Sequence, residues 1–470
     1  MCLEISVTEA EQGISENRAT VGELPRQVSW RAPIMLAVAA GLQITVAMGP
    51  MASQLGNIQP FVWALAALMG LIQCFFIAEL AVHFPRRSGG TATYAHEAFG
   101  RRAGWACALS SWAYWFAWTP GVAVNLILAS SYLRSTFFPH ASTILISLVL
   151  GLMLYALNAC GISINVKVSA ALIVLTAVPL VLLLVAPLFK PSLFHGTYVW
   201  PPHFPSGHGS TASLVIKWLF VAVWSAYGAE MSSTIFAETR ASNKTIVRGM
   251  AIAGAACLVA FTVIPLIMTG IVGASGLSSD PSAVFLVPAR AVLGSAGAKI
   301  TGLMLAGALT VGAQAYIISS SRTLYQMSLD GYMPRFVLRV NRFGSPYGGI
   351  IFDATVIALL VGVFGTNVIN VVAAANVGYL VVFVILPLVF VVIRHRQRRA
   401  GVELAMPRWL TPVAVLFAVA NAALLVAGGF LWGTKIWLTG VTVLLVIFPL
   451  MSVRRWEDRG TRCRRSAIGG

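Results

Sequence analysis

Phe84-Pro85-Arg86-Arg87-Ser88-Gly89-Gly90-Thr91-Ala92-Thr93-Tyr94, running on to Glu97-Ala98-Phe99-Gly100-Arg101-Arg102, separates two long apolar stretches of the chain. Pro85 and the Gly89-Gly90 pair break a helix arriving from either side. Four arginines accompany the break, so the stretch reads as a short cytoplasmic loop between two membrane helices.

The surrounding composition agrees. Of 470 residues, 58% are hydrophobic and only 10% are charged, whereas soluble domains carry about 25% charged residues. Each helical crossing of a bilayer takes roughly 20 apolar residues, and only helices or closed barrels satisfy the backbone in lipid. The apolar runs are continuous rather than alternating, which predicts an all-α polytopic membrane protein with about twelve transmembrane helices. The expected segments are 33–55, 59–83, 103–132, 143–161, 166–188, 214–237, 250–274, 298–321, 348–364, 368–393, 410–429 and 433–453.

The net charge of +17 does not require a nucleic acid partner. With these segments, 26 of the 32 Lys and Arg residues fall on one side, and the positive-inside rule assigns that side, with both termini, to the cytoplasm. The expected organisation is a flexible cytoplasmic tail at 1–29, a transmembrane domain at 30–453 and a basic cytoplasmic tail at 454–470. Glu4, Glu9, Glu11, Glu16 and Glu23 make the first stretch a polar tail rather than a cleavable signal. The six cysteines show no metal-ligand spacing and read as free thiols.

Two segments carry helix-weakening residues in mid-membrane. Segment 1 has Gly41, Gly49 and Pro50, and segment 6 has Gly228 beside Ser225. Interrupted helices in matching positions of two halves point to a transporter binding site. Glu230 lies in the middle of segment 6, where a carboxylate is costly unless it faces a cavity or a partner. Held protonated by its surroundings, it would couple proton movement to solute movement. Its alternative is a neutral side chain bonded to a neighbouring helix. Glu79 and Glu238, nearer the inner surface, read as structural partners of loop arginines, and Asp353 admits either reading. Trp112, Tyr114, Trp115, Phe116 and Trp118 crowd segment 3. Aromatic faces bind organic cations, but most of these read as packing or as an interfacial belt. Trp224, next to the expected break in segment 6, is the better binding candidate.

Pro205-Ser206-Gly207-His208 matches the central motif of type 2 phosphatidic acid phosphatases. The upstream Arg-Pro of that family is absent, and Ser328 stands where its nucleophilic His belongs. No GxxxxGK[ST] loop occurs, so coupling would be to an ion or an exchanged solute, with no cofactor, metal or catalytic residue required.

The chain resembles the amino acid–polyamine–organocation permeases over nearly its whole length. The resemblance is carried by the loop from Phe84 to Arg102, by Ser321-Arg322-Thr323-Leu324-Tyr325-Gln326-Met327-Ser328-Leu329-Asp330-Gly331-Tyr332-Met333-Pro334 with Asn341-Arg342-Phe343-Gly344-Ser345-Pro346, by Trp224 to Glu230 with Glu238-Thr239-Arg240, and by Asn158-Ala159-Cys160-Gly161. It implies a five-plus-five inverted repeat with broken helices 1 and 6, the repeats spanning about 33–188 and 214–393, with helices 11 and 12 added. Substrate would bind between the two breaks, against Gly41, Gln43, Thr45, Trp115, Trp224, Ser225, Tyr227 and Gly228. In arginine/agmatine-type exchangers of the family, the positions matched by Trp224 and Glu230 serve as an aromatic gate and a proton-linked carboxylate.

Two departures bear on the substrate. Thr45-Val46-Ala47 stands where the family's helix 1 usually has a Gly-Ser-Gly run that binds a carboxylate. Thr176 takes the place of a lysine found in some proton-coupled members, and Thr310 is the nearest thing to a sodium ligand. The expected function is secondary active transport of an amino acid or related amine through the cell membrane by alternating access, with H+ as the candidate coupling ion and Na+ or none as the alternatives. A polyamine or organic-cation transporter is the first alternative, and a non-transporting solute sensor the second.

Overall fold

The computed structural model describes residues 26–41, 44–87, 90–138, 140–204, 210–240, 242–279, 284–364 and 368–468. The described residues of every expected segment are helical, and the protein is an all-α polytopic membrane protein. Among the described residues, eight helical stretches are long and apolar enough to cross a membrane, and Ile44–His83 joins parts of two expected segments. Thr143–Ala159, Ile162–Ala171 and Tyr347–Gly362 are shorter apolar helices.

The described residues of segment 1 are helical, as α1 (Arg31–Gly41) and α2 (Ile44–Leu55). Segment 2 is α3 (Gln59–His83), which starts on Pro60, where proline's fixed φ suits the first helical turn. The quoted loop folds into a turn and a short helix, α4 (Tyr94–Phe99). Segments 3 to 5 are α5 (Gly104–Thr136), α6 (Thr143–Ala159) and α7 (Ile162–Phe189).

Segment 6 begins as α8 (Thr211–Ala226) and tightens into a 3-10 helix over Tyr227–Glu238. Runs of 3-10 helix beyond three or four residues are uncommon and mark hinges or strain. The sequence supplies the cause. Gly228 is a poor helix former, and the hydroxyls of Ser232 and Thr234 bond back to Ala229 O (2.8 Å) and Met231 O (2.7 Å). Gly70 of α3 lies against the start of this stretch, and a Cβ there would meet Ala226 O at 2.5 Å.

The second half continues with α9 (Asn243–Ser278), bent at Gly273, and α10 (Leu286–Leu329), bent at Gly294. Then come α11 (Tyr347–Phe364), α12 (Val368–Arg399), α13 (Leu410–Trp432), α14 (Thr434–Leu445) and α15 (Ile447–Ile468). Helix α5 is the central element: 83% of its most apolar window is buried, against 22% for the last span. It packs against α10 and α12.

A two-stranded parallel ribbon ties segments 1 and 6 together. β1 (Val28–Ser29), just before α1, pairs with β2 (Thr239–Arg240), just after the 3-10 helix. Gln27 N bonds Glu238 O at 2.9 Å and extends the pairing. Ion pairs cluster at the same end. Arg322 and Glu238 meet at 2.9 Å with both side chains buried, Arg394 and Glu79 at 3.0 Å, and Arg87 reaches Asp330 at 2.5 Å and Glu97 at 3.3 Å. Burial raises the Asp330 carboxyl above its ordinary value even though Arg87 pulls it down.

Candidate functional site

The tightening of segment 6 sets Glu230 one turn past Ala226, fully buried at the centre of the bundle. Its carboxylate is held by four neutral donors from three other parts of the chain. On Oε1 the donors are Trp118 Nε1 (3.2 Å, α5) and Tyr379 OH (3.0 Å, α12). On Oε2 they are Tyr114 OH (2.9 Å, α5) and the Thr91 hydroxyl. A carboxylate has about four acceptor positions, so this set fills it. Among the described residues, no basic side chain lies within ion-pair distance of Glu230.

The two oxygens are not equivalent. An indole N–H only donates, so Oε1 must remain an acceptor for Trp118. Thr91 and Tyr114 carry hydroxyls that turn and accept as readily as they donate. A proton arriving on Oε2 therefore finds an acceptor without any side chain leaving its place. Neutral hydroxyl and indole donors stabilise the anion and still tolerate the acid.

Thr91 comes from the loop quoted first. Gly90, beside it, has φ +84°, and a Cβ there would lie 2.7 Å from Thr234 Cγ2 and 2.9 Å from Tyr114 OH. Only glycine lets this backbone pass between those side chains and deliver the Thr91 hydroxyl.

Around the acid stands an aromatic cluster. Trp118 stacks on Tyr316 (centroids 4.9 Å) and meets Tyr379 edge-on (4.6 Å), while Trp224 lies 5.4 Å from Trp118 and 6.1 Å from Tyr316. Trp224 Nε1 bonds Ala117 O at 2.9 Å. Gly121 makes the room, since a Cβ there would touch Tyr316 at 2.8 Å and Trp224 at 3.0 Å. Among the described residues the Tyr316 hydroxyl is buried with no hydrogen-bond partner.

The other expected site residues divide. Tyr227 packs on Phe383 (4.7 Å) and Tyr379 (6.2 Å) and bonds Asn421 Oδ1 at 3.0 Å. Ser225 and Gly228 are buried at the same break. Thr45 is buried in the first turn of α2, Gly41 ends α1, and Gln43 lies outside the described residues. Trp115 lies apart from the aromatic cluster around Glu230. It stacks on Trp112 (4.3 Å) and donates to Asp353 Oδ1 (2.9 Å), on another face of α5. Trp115 comes one residue after Tyr114, a step of about 100° around the helix, and so points away from the face shared by Tyr114 and Trp118.

Glu79 and Glu238 are bound to Arg394 and Arg322, at the loop end of the bundle. Thr310 bonds its own helix at Ala306 O (2.8 Å). Pro205-Ser206-Gly207-His208 lies outside the described residues. Sequence reasoning missed Tyr316, Tyr379 and Thr91. The available signal was a hydroxyl-bearing aromatic deep inside segments 8 and 10, where Phe or Leu would serve packing equally well.

Comparison with known proteins adds a frame to this geometry. The family model described as amino acid permease matches residues 32–449. An uncharacterized amino acid permease of Bacillus subtilis is 23% identical over 402 residues, covering 82% of this chain and 87% of the relative. A probable polyamine transporter of Arabidopsis thaliana is 25% identical over 437 residues, covering 88% of this chain and 79% of the relative. Among solved structures, the manganese transporter of Eremococcus coleocola has the same fold, with a TM-score of 0.61, 14% identity, and coverage of 94% of this chain and 99% of that one.

Proposed function

The chain belongs to the amino acid permease family, and on that premise we propose that it is a secondary active transporter moving an amino acid or related amine through the cell membrane by alternating access. In this reading Glu230 takes up and releases a proton during the cycle. The observation that carries it is the setting of Glu230: a buried acid at the tightened part of segment 6, held only by neutral donors and walled by Trp118, Trp224, Tyr316 and Tyr379. A solute amine is attracted both by the carboxylate and by the aromatic faces.

Substrate lies between the two broken segments, against Gly41, Gln43, Thr45, Trp224, Ser225, Tyr227 and Gly228. The exposed helix ends there favour the charged head of the solute. The inverted repeats span about 33–188 and 214–393, and the last two segments stand outside them. The distribution of Lys and Arg supports cytoplasmic placement of both termini and of the Arg86–Arg102 loop.

A polyamine or organic cation is the second reading. It is favoured by Thr45-Val46-Ala47 in helix 1, whose side chains stand where close backbone approach to a carboxylate is needed, and by the likeness to a probable polyamine transporter.

Uptake into proteoliposomes of labelled amino acids, putrescine and spermidine, with and without an inward proton gradient, tests both. Saturable, gradient-stimulated uptake of amino acids is the expected result. Uptake confined to the polyamines selects the second reading, and indifference to the gradient removes the proton. Glu230→Gln is expected to slow uptake and flatten its pH profile; a wild-type rate and profile would end the proton-linked role.

A further inference from the structure

Asp353, in the middle of α11, is the other acid buried deep in the bundle without an ion pair among the described residues. It too is held by four neutral donors. Trp115 Nε1 (2.9 Å) and Thr119 Oγ1 (3.1 Å) reach Oδ1, and Tyr155 OH (2.6 Å) and Ser320 Oγ (2.8 Å) reach Oδ2. These donors come from α5, α6 and α10, so one carboxylate fastens three helices to a fourth.

Helix α5 carries the donors for both acids in an interleaved order. Tyr114 and Trp118, four apart, hold Glu230. Trp115 and Thr119, also four apart and each one residue later, hold Asp353. Residues four apart share a helix face, and a one-residue step turns that face by about 100°. Helix α5 is thus clamped between two carboxylates on different faces. Any rotation or slide of α5 that lengthens one pair of bonds alters the other.

Charged and titratable neighbours do not supply a competing explanation. Of the groups bonded to Asp353, only Tyr155 is titratable. On α10, Arg322 is taken by Glu238 and Asn158, and Arg335, in the short helix preceding α11, is taken by Asp458. Glu230 faces Tyr114 and Tyr379, with Cys74 of α3 and Tyr94 of α4 farther off.

We propose that Asp353 is a positioning residue for Glu230, acting through α5: by holding Trp115 and Thr119 it fixes the rotation of the helix that presents Tyr114 and Trp118 to the central acid. This rests on Glu230 being a carboxyl that changes protonation. Loss of the Asp353 anchor loosens two of the four donors that favour the anion, so Glu230 keeps its proton to higher pH.

The test needs no identified substrate. Dicyclohexylcarbodiimide, a membrane-soluble reagent, modifies protonated carboxyls, and peptide mass spectrometry reads modification at Glu230 against pH. The protein is purified whole and reconstituted. Asp353→Asn is expected to move the Glu230 labelling midpoint upward by about one pH unit, the scale of one weakened charged hydrogen bond. Thr119→Val, which leaves both acids in place, is expected to move it in the same direction by less, and it carries the test if Asp353→Asn does not fold. Unchanged midpoints in the folded variants, with normal wild-type labelling, overturn the positioning role. Wild-type protein whose Glu230 is labelled at no pH overturns instead the reading on which it rests.

Discussion

Glu230 and Glu238 lie eight residues apart in the same 3-10 helix, and both are buried, yet their charges are compensated in opposite ways. Glu238 faces the Arg322 guanidinium at 2.9 Å, and Asn158 and Ser321 accept from the arginine's Nη1 at 3.3 and 3.2 Å. Glu230 faces two tyrosines, a tryptophan and a threonine. An arginine never gives up its proton in a protein and never accepts a hydrogen bond. Protonating Glu238 would leave a buried cation without its counterion. Protonating Glu230 asks only that a hydroxyl turn. One end of the helix answers its acid with a fixed cation and the other with neutral groups that can turn.

The contrast is broken most forcefully at Arg322. Arg322→Gln strands the Glu238 carboxylate and is expected to cost about 3–5 kcal/mol, read as a large fall in the melting temperature of the purified protein. Adding Glu238→Gln is expected to restore part of that loss, because a neutral pair strands no charge. A single variant that melts like wild type would mean that Glu238 does not depend on its arginine.

Gly90→Ala tests the backbone that brings Thr91 to Glu230. A side chain at φ +84°, 2.7 Å from Thr234 Cγ2, is expected to cost about 1–3 kcal/mol and to reduce uptake together with stability. Tolerance of alanine at wild-type stability would show that the loop approaches the acid with room to spare.

Thr91→Val removes one hydroxyl from Oε2 and leaves the shape nearly unchanged. The anion loses a donor, so the midpoint of the pH profile of uptake is expected to rise by about one unit. A midpoint that stays put or falls would take Thr91 out of the acid's control.

The smallest expected effect is that of Glu230→Gln on stability, below about 1 kcal/mol by thermal melting. The amide oxygen takes the place of Oε1, and the amide nitrogen donates to the hydroxyls of Thr91 and Tyr114. Glu238→Gln, which removes the counterion of Arg322, is expected to cost several times more. Equal losses would erase the distinction between the two acids.

The bundle was readable from sequence because its physics is one-dimensional. A crossing needs a continuous apolar run, and Gly228 beside Ser225 weakens segment 6 locally whatever its neighbours are. Glu230 and Trp224 stood out for the same reason: a carboxylate in an apolar run is anomalous on its own. Their partners were hidden. Tyr379 lies 149 positions from Glu230, and nothing in the pattern of segment 10 distinguishes a tyrosine that packs from one that donates. Adjacency in a helix is not adjacency in space: one step along α5 separates Tyr114, on the central acid, from Trp115, on Asp353. Asp353 admitted two readings because its four donors are supplied by three other helices, none of them near it in the chain.

The two-residue ribbon of Val28-Ser29 with Thr239-Arg240 makes the chain's leading end a mechanical leash. Tension applied ahead of Gln27 travels along a parallel pairing straight to the outlet of the 3-10 helix, beside Arg322's counterion Glu238. An affinity tag, a fluorescent fusion or a surface tether attached there therefore pulls on the 3-10 helix that carries Glu230. The same handle attached after α15 hangs from the periphery of the bundle and leaves that part slack.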